Sequence, residues 1–238
     1  MYPIYKSIGT KEKCKTVKIL FPPQKQNCQP GIEHIMMPRP ISNNPEYVGS
    51  GKLKNKVAII TGGDSGIGRA VAYAFAKEGA NIVISYLNED ADAMETKTCV
   101  ESLGVKCLLI AGDLTEESMS TTIVEKTLEC FGKIDILVNN HAVKFVQESI
   151  LDITYEQLDL TFKTNLYSYI YMIKAVLPYL KKGSSIINTT SITAYQGEPL
   201  LIDYSATKGA LVSLTRSLSQ SLVKDGVRVN AVAPGPIW

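Results

Sequence analysis

From Lys56 onward the chain alternates short β-branched apolar runs with longer stretches of helical period. The run Val57-Ala58-Ile59-Ile60 is apolar without a break, as expected of a strand covered on both faces of a parallel sheet. Runs of this kind predict strands over 57–61, 81–86, 105–111, 134–139, 185–189 and 227–233. Helices are predicted between them over about 66–78, 90–103, 116–131, 154–181 and 203–225, with Asp113 and Thr115 as caps before the third. Strand and helix in alternation, joined by right-handed crossovers, give an α/β fold. A Rossmann-type doubly wound parallel sheet is expected, with ligands at the carboxyl ends of its strands.

Residues 1–50 break this pattern. They hold seven of the eleven prolines, in phrases such as Phe21-Pro22-Pro23 and Met37-Pro38-Arg39-Pro40. Proline fixes φ and withholds an amide donor, so these residues are expected to form an extended arm, with residues 1–19 a disordered tail. Gly49-Ser50-Gly51 is the hinge into a domain at 51–238. The arm is basic, with seven Lys/Arg against three Asp/Glu, and the rest carries 18 against 20.

With 238 residues and 45% hydrophobic content, the chain is long enough for one full core. A net charge of +2 implies neither a nucleic-acid nor a membrane partner. No apolar stretch is long enough to span a bilayer, and no secretory leader is visible, so a cytoplasmic location is expected. Cys14, Cys28, Cys99, Cys107 and Cys130 form no CxxC pair, which fits reduced thiols. With only His34 and His141, a histidine metal site is not expected.

Two motifs carry chemistry. Thr61-Gly62-Gly63-Asp64-Ser65-Gly66-Ile67-Gly68 joins the first predicted strand to the first helix. Glycines there let the backbone turn tightly and let a dinucleotide pyrophosphate approach the helix N-terminus. Tyr204 and Lys208 stand four apart on one predicted helix, so they share a face. A neighbouring ammonium favours the phenolate, which suits Tyr204 to exchange a proton with a substrate oxygen.

The spacing Thr-Gly-x-x-x-Gly-x-Gly resembles the short-chain dehydrogenase/reductase family, and the likeness runs over residues 51–238. That resemblance implies an NAD(P)-dependent oxidoreductase interconverting a carbonyl and an alcohol (aldehyde, ketone, sugar or polyol), with the strand order 3-2-1-4-5-6. It implies Asn165, Ser191, Tyr204 and Lys208 as the catalytic set. Ser191 would hydrogen-bond the reacting oxygen, Lys208 would also hold the nicotinamide ribose, and Asn165 would support a water-mediated proton path. For the cofactor it implies Thr61, Gly62, Asp64, Ser65, Gly66, Ile67, Gly68, Tyr86, Asp113, Leu114, Asn140, Tyr204, Lys208, Pro234 and Gly235. Enoyl reductases of similar fold place the tyrosine and lysine farther apart, so C=O chemistry is favoured over C=C reduction. Tyr86 stands where an NAD-selecting acid is common. Asn88 suits a 2′-phosphate and Glu89 a 2′-OH, with a slight lean to NADP. The arm and Gly49-Ser50-Gly51-Lys52 resemble a bacterial subgroup with proline-rich extensions, often labelled general stress oxidoreductases. A homo-oligomer, a tetramer at full length, is implied as well.

Two features depart from the family pattern. His141 follows Asn139-Asn140 where Ala is usual; it would either crowd the nicotinamide ribose or turn outward to solvent. The sequence given stops at Pro236-Ile237-Trp238, before a substrate-covering loop and a seventh strand. A fragment of a longer reading frame is expected. The alternative is a catalytically impaired nucleotide-binding protein left by truncation.

Overall fold

A computed structural model describes residues 9–12, 16–19, 22–26 and 29–237. In the arm, β1 (Gly9–Glu12) pairs antiparallel with β2 (Thr16–Ile19), placing Gly9 opposite Ile19. This corrects the expectation of a structureless stretch there. No proline lies between residues 4 and 21, so nothing in the backbone forbids a ladder.

The central sheet is parallel throughout. It consists of β3 (Val57–Thr61), β4 (Asn81–Tyr86), β5 (Cys107–Ala111), β6 (Ile136–Asn139), β7 (Ser185–Thr189) and β8 (Arg228–Val232). Their order is β5-β4-β3-β6-β7-β8, which counted within the sheet is 3-2-1-4-5-6, as the family resemblance implies. The chain leaves β3 toward one edge and returns to β6 on its other side. A crevice therefore opens between the carboxyl ends of β3 and β6.

Successive side chains of a strand point to opposite faces, and β3 divides its apolar residues accordingly. Val57 and Ile59 join a core under α3 (Glu117–Phe131) and α5 (Ser168–Val176), through Ile123, Met172 and Val176. Ala58 and Ile60 join a second core under α1 (Gly66–Lys77) and α2 (Asp90–Ser102), through Ala72, Ala76, Ala93 and Val100.

Three local expectations fail. The predicted helix over 154–181 is interrupted: α4 (Tyr155–Phe162) passes into a π turn at Lys163–Tyr167 before α5. Asp113 does not cap α3, because its carboxylate accepts the Thr115 N–H at 2.8 Å and the N-cap residue is Glu116. A short helix, α6 (Thr193–Gln196), precedes α7 (Ile202–Leu222) and was not foreseen. Cys99, Cys107 and Cys130 are free thiols, whereas Cys14 and Cys28 lie outside the described residues. No helix among the described residues is long and apolar enough to cross a membrane.

Candidate active site

Strand β3 delivers buried Thr61 to the crevice, and the chain turns at once. Gly62 has φ +61°, and a Cβ there would lie 3.0 Å from the His141 Cα. At Gly68 a Cβ would meet the Gly62 carbonyl oxygen at 1.9 Å, so the first helical turn packs against the turn itself. The Gly62 N–H donates to Ser85 O at 2.7 Å, tying the loop to β4. In the first turn of α1 the N–H groups of Ile67 and Gly68 have no acceptor among the described residues. Unpaired donors at the positive end of a helix fit the pyrophosphate of a dinucleotide.

The neighbouring residues frame the same turn. Asn140 donates its N–H to Thr61 Oγ1 (2.9 Å) and a side-chain amide hydrogen to Gly62 O (3.1 Å), binding the end of β6 to the loop. Asp64 is buried, and burial pushes its carboxyl up to about 6; the Ser65 hydroxyl opposes this and the Glu89 and Asp92 charges add to it. Tyr86 donates to Asp90 Oδ1 at 2.7 Å, and burial, then that carboxylate, pushes its phenol up to about 12. Asn88 is exposed beside it. Asp113 is exposed and Leu114 buried at the end of β5. Pro234 accepts the Ile192 N–H at 3.0 Å and Gly235 follows it, bringing the chain after β8 against the segment after β7.

Tyr204 and Lys208 lie on α7, which Asp203 fastens to α4 by accepting from Gln157 Nε2 and the Thr161 hydroxyl, each at 2.9 Å. The Lys208 Nζ sits 5.5 Å from the centre of the Tyr204 ring and 5.3 Å from that of Tyr169. It is 1% exposed, donates to Thr189 O at 2.8 Å, and is pushed by burial down to about 7. Half-buried Tyr204 is pushed above its ordinary range by burial, with the Ser191 hydroxyl pulling the other way. The sequence expectation was that the ammonium would favour a phenolate. Instead, loss of water dominates both groups and favours their neutral forms.

Ser191 follows β7 and takes the N–H and hydroxyl of Thr193 on its own oxygen, at 3.2 and 3.1 Å. Asn165 lies in the π turn, fully buried. Its amide clasps the backbone of Val143, accepting from N–H and donating to O at 2.8 Å each. The structure thus gathers Ser191, Tyr204 and Lys208, and sets Asn165 to hold the loop after β6.

His141 does not turn outward to solvent. Its ring nitrogens meet Thr61 Oγ1 at 2.7 Å and Ser168 Oγ at 2.8 Å, and burial, then the Lys208 charge, holds it down to about 3. It is a neutral tie between β3 and α5. Sequence reasoning missed Asp203 altogether, although its place directly before Tyr204 was the available signal.

A family model described as enoyl-(acyl carrier protein) reductase matches residues 62–238. An uncharacterized oxidoreductase of Bacillus subtilis, YhxC, is 63% identical over 93% of this chain and 77% of its own length. General stress protein 39 of the same organism is 61% identical over 91% and 76%. Glucose and ribitol dehydrogenase of Daucus carota is 46% identical over 92% and 77%. Among solved structures, a short-chain dehydrogenase from Burkholderia cenocepacia in complex with NADP superposes with a TM-score of 0.75. It is 32% identical and covers 77% of this chain and 75% of its own.

Proposed function

The chain belongs to the short-chain dehydrogenase/reductase family, and we propose from this premise that it interconverts a carbonyl and an alcohol through Tyr204, Lys208 and Ser191. It is an NAD(P)-dependent oxidoreductase. The observation that carries the proposed site is the shared face of α7, with the Lys208 Nζ 5.5 Å from the Tyr204 ring and Ser191 against the phenol.

Bound at the glycine turn, a nicotinamide dinucleotide would supply or take the hydride. Thr61, Gly62, Asp64, Ser65, Gly66, Ile67 and Gly68 would frame its phosphates and adenosine ribose. Tyr86, Asp113, Leu114 and Asn140 would line the adenosine side, with Pro234 and Gly235 at the nicotinamide end. Tyr204, kept protonated by burial, would give its proton to the carbonyl oxygen in reduction and recover it in oxidation. Ser191 would hold that oxygen, Lys208 would steady the ribose and meet the phenolate as it forms, and Asn165 would fix the Val143 backbone beneath a proton path. The Tyr-x-x-x-Lys spacing supports C=O over C=C chemistry, despite the description of the matching family model.

For the cofactor, exposed Asn88 and the absence of an acid at 86 support a lean to NADP, while Glu89 supports NAD. A relative in Arabidopsis thaliana is named an NADPH-dependent aldehyde reductase, and a reductase from Brucella melitensis is described with NADH. A sugar, polyol or aldehyde substrate, a cytoplasmic setting and a homo-oligomer complete the proposal, with residues 1–50 as arm and 51–238 as catalytic domain. Exposed Leu151, Tyr155 and Leu158 support self-association, which size-exclusion with light scattering tests.

Tyr204→Phe tests the chemistry. It is expected to lower turnover on a panel of aldehydes and polyols by ~10³-fold or more, while NADPH or NADH still raises the melting temperature as in the parent. Full activity in that variant would remove the mechanism. Stabilisation of the parent by nucleotide without turnover on any carbonyl would favour the impaired nucleotide-binding alternative.

A further inference from the structure

One contact ties the arm to the phosphate-binding turn. Glu33, 4% exposed, begins a single 3₁₀ turn at Glu33–Ile35. Its Oε2 accepts the Gly66 N–H at 2.5 Å, and its Oε1 accepts Arg69 Nη1 at 2.7 Å. Arg69, 2% exposed, also bonds Asp64 O (2.9 Å) and Asp92, through its O (3.0 Å) and Oδ1 (3.3 Å), and lies 3.4 Å from Glu95 Oε2. Asp92 in turn accepts the N–H groups of Glu33 (2.9 Å) and His34 (3.1 Å). Farther along, the Arg39 guanidinium forks onto the two oxygens of Glu95 at 3.0 Å each. The arm is thereby joined to α1 and α2 by a charge-paired network that is buried at Glu33, Arg69 and Asp92, partly exposed at Arg39 and exposed at Glu95.

The same segment reaches the other side of the crevice. The Gln29 side chain donates to Lys144 O at 3.4 Å, in the loop after β6. Since β3 and β6 are neighbours, residues 29–33, bonded to Lys144 at one end and to Gly66 at the other, bridge the loops that follow those two strands. A cavity of about 460 Å³ is lined by Pro30, Ile32 and His34 of this segment and by Asn88, Glu89 and Asp90 after β4. That volume is of ligand size, and it lies at the strand end where the adenosine ribose is read.

We propose that residues 29–39 form the outer wall of the nucleotide cleft, and that Glu33 is the positioning residue that pins this wall to the phosphate-binding turn. The proposal rests on the nucleotide-binding reading above. Two features favour a wall over a plug. The cavity is kept open, and withdrawal of Glu33 would take from buried Arg69 the nearest of its three carboxylates, at 2.7 Å. Glu33 takes the Gly66 donor and leaves those of Ile67 and Gly68 for the phosphates.

Glu33→Ala and the milder Glu33→Gln, in the full chain, test this by NADH and NADPH fluorescence titration, stopped-flow release and amide exchange at Gly66. The alanine variant is expected to raise Kd for both nucleotides at least tenfold through faster release, with kcat changed less than twofold and Gly66 exchanging faster. Glutamine, which keeps an acceptor but not the charge, should fall between. Unchanged Kd in folded variants would overturn the proposal, and so would a lower Kd with faster association, which would make the segment a plug. If alanine does not fold, the glutamine titration decides alone. A parent that binds neither nucleotide would overturn the underlying reading and this proposal together, whereas a binding parent with indifferent variants would overturn this proposal only.

Discussion

Two cations are buried almost completely among the described residues, and they are treated in opposite ways. Arg69 lies among three carboxylates, those of Glu33, Asp92 and Glu95, at 2.7 to 3.4 Å. Lys208 has no carboxylate beside it among the described residues; it holds one carbonyl oxygen and lies between two phenol rings. A guanidinium resists deprotonation and can be saturated with acceptors, whereas an ammonium left short of them drifts toward neutrality. The first arrangement makes a fixed part of the architecture. The second makes a group whose charge is available for change, at the expense of stability.

The contrast breaks first at Arg69. Arg69→Met removes the buried counter-ion shared by Glu33 and Asp92, leaving Glu33 only the partly exposed Arg39 at 3.3 Å, and is expected to cost ~3–5 kcal/mol in urea unfolding. A loss below ~1 kcal/mol would mean that the network contributes no more than a surface pair.

Lys208→Met should do the reverse to stability while removing turnover. The folded value of about 7 lies below the ordinary 10.5, so between those limits the unfolded chain binds more protons than the native one. Parent stability must therefore rise with pH across that window. The variant lacks this slope, and its melting temperature should exceed that of the parent by the widest margin near and below pH ~7, narrowing toward pH ~10. A variant that melts lower at neutral pH would show that packing of the alkyl stem outweighs the buried charge.

Asp64 gives the smallest effect. Its folded value of about 6 lies above the ordinary 3.8, so the native state binds more protons in that interval and stability falls as pH rises through it. Asp64→Asn should be more stable than the parent at pH ~7 by ~1–2 kcal/mol and indistinguishable from it near pH ~4. Calorimetry at the two pH values decides this.

The sheet was legible because several strands are near-continuous apolar runs bounded by turn signals, and 57–61, 81–86 and 185–189 match the structure to the residue. The glycine turn and the Tyr204–Lys208 pair were legible because their geometry is local: a left-handed backbone at Gly62 and one shared helical face. What escaped was set at long range. Nothing near Glu33 in sequence says that its partners will be Gly66 and Arg69, 33 and 36 positions away. The state of Tyr204 escaped for a related reason. A spacing of four shows that an ammonium is near, but the balance between its charge and lost hydration depends on burial, which only the packed structure supplies.

The π turn at Lys163–Tyr167 places one surplus residue in an otherwise continuous helical rod. Excising a single position there would regularise the rod and improve its local propensity. It would also turn everything downstream by roughly 100°, since a helix advances 3.6 residues per revolution. Ser168 and Tyr169 would swing off His141, and the amide of Asn165 off its loop. The irregularity therefore works as a phase adjustment, and a tidier helix here would make a poorer enzyme.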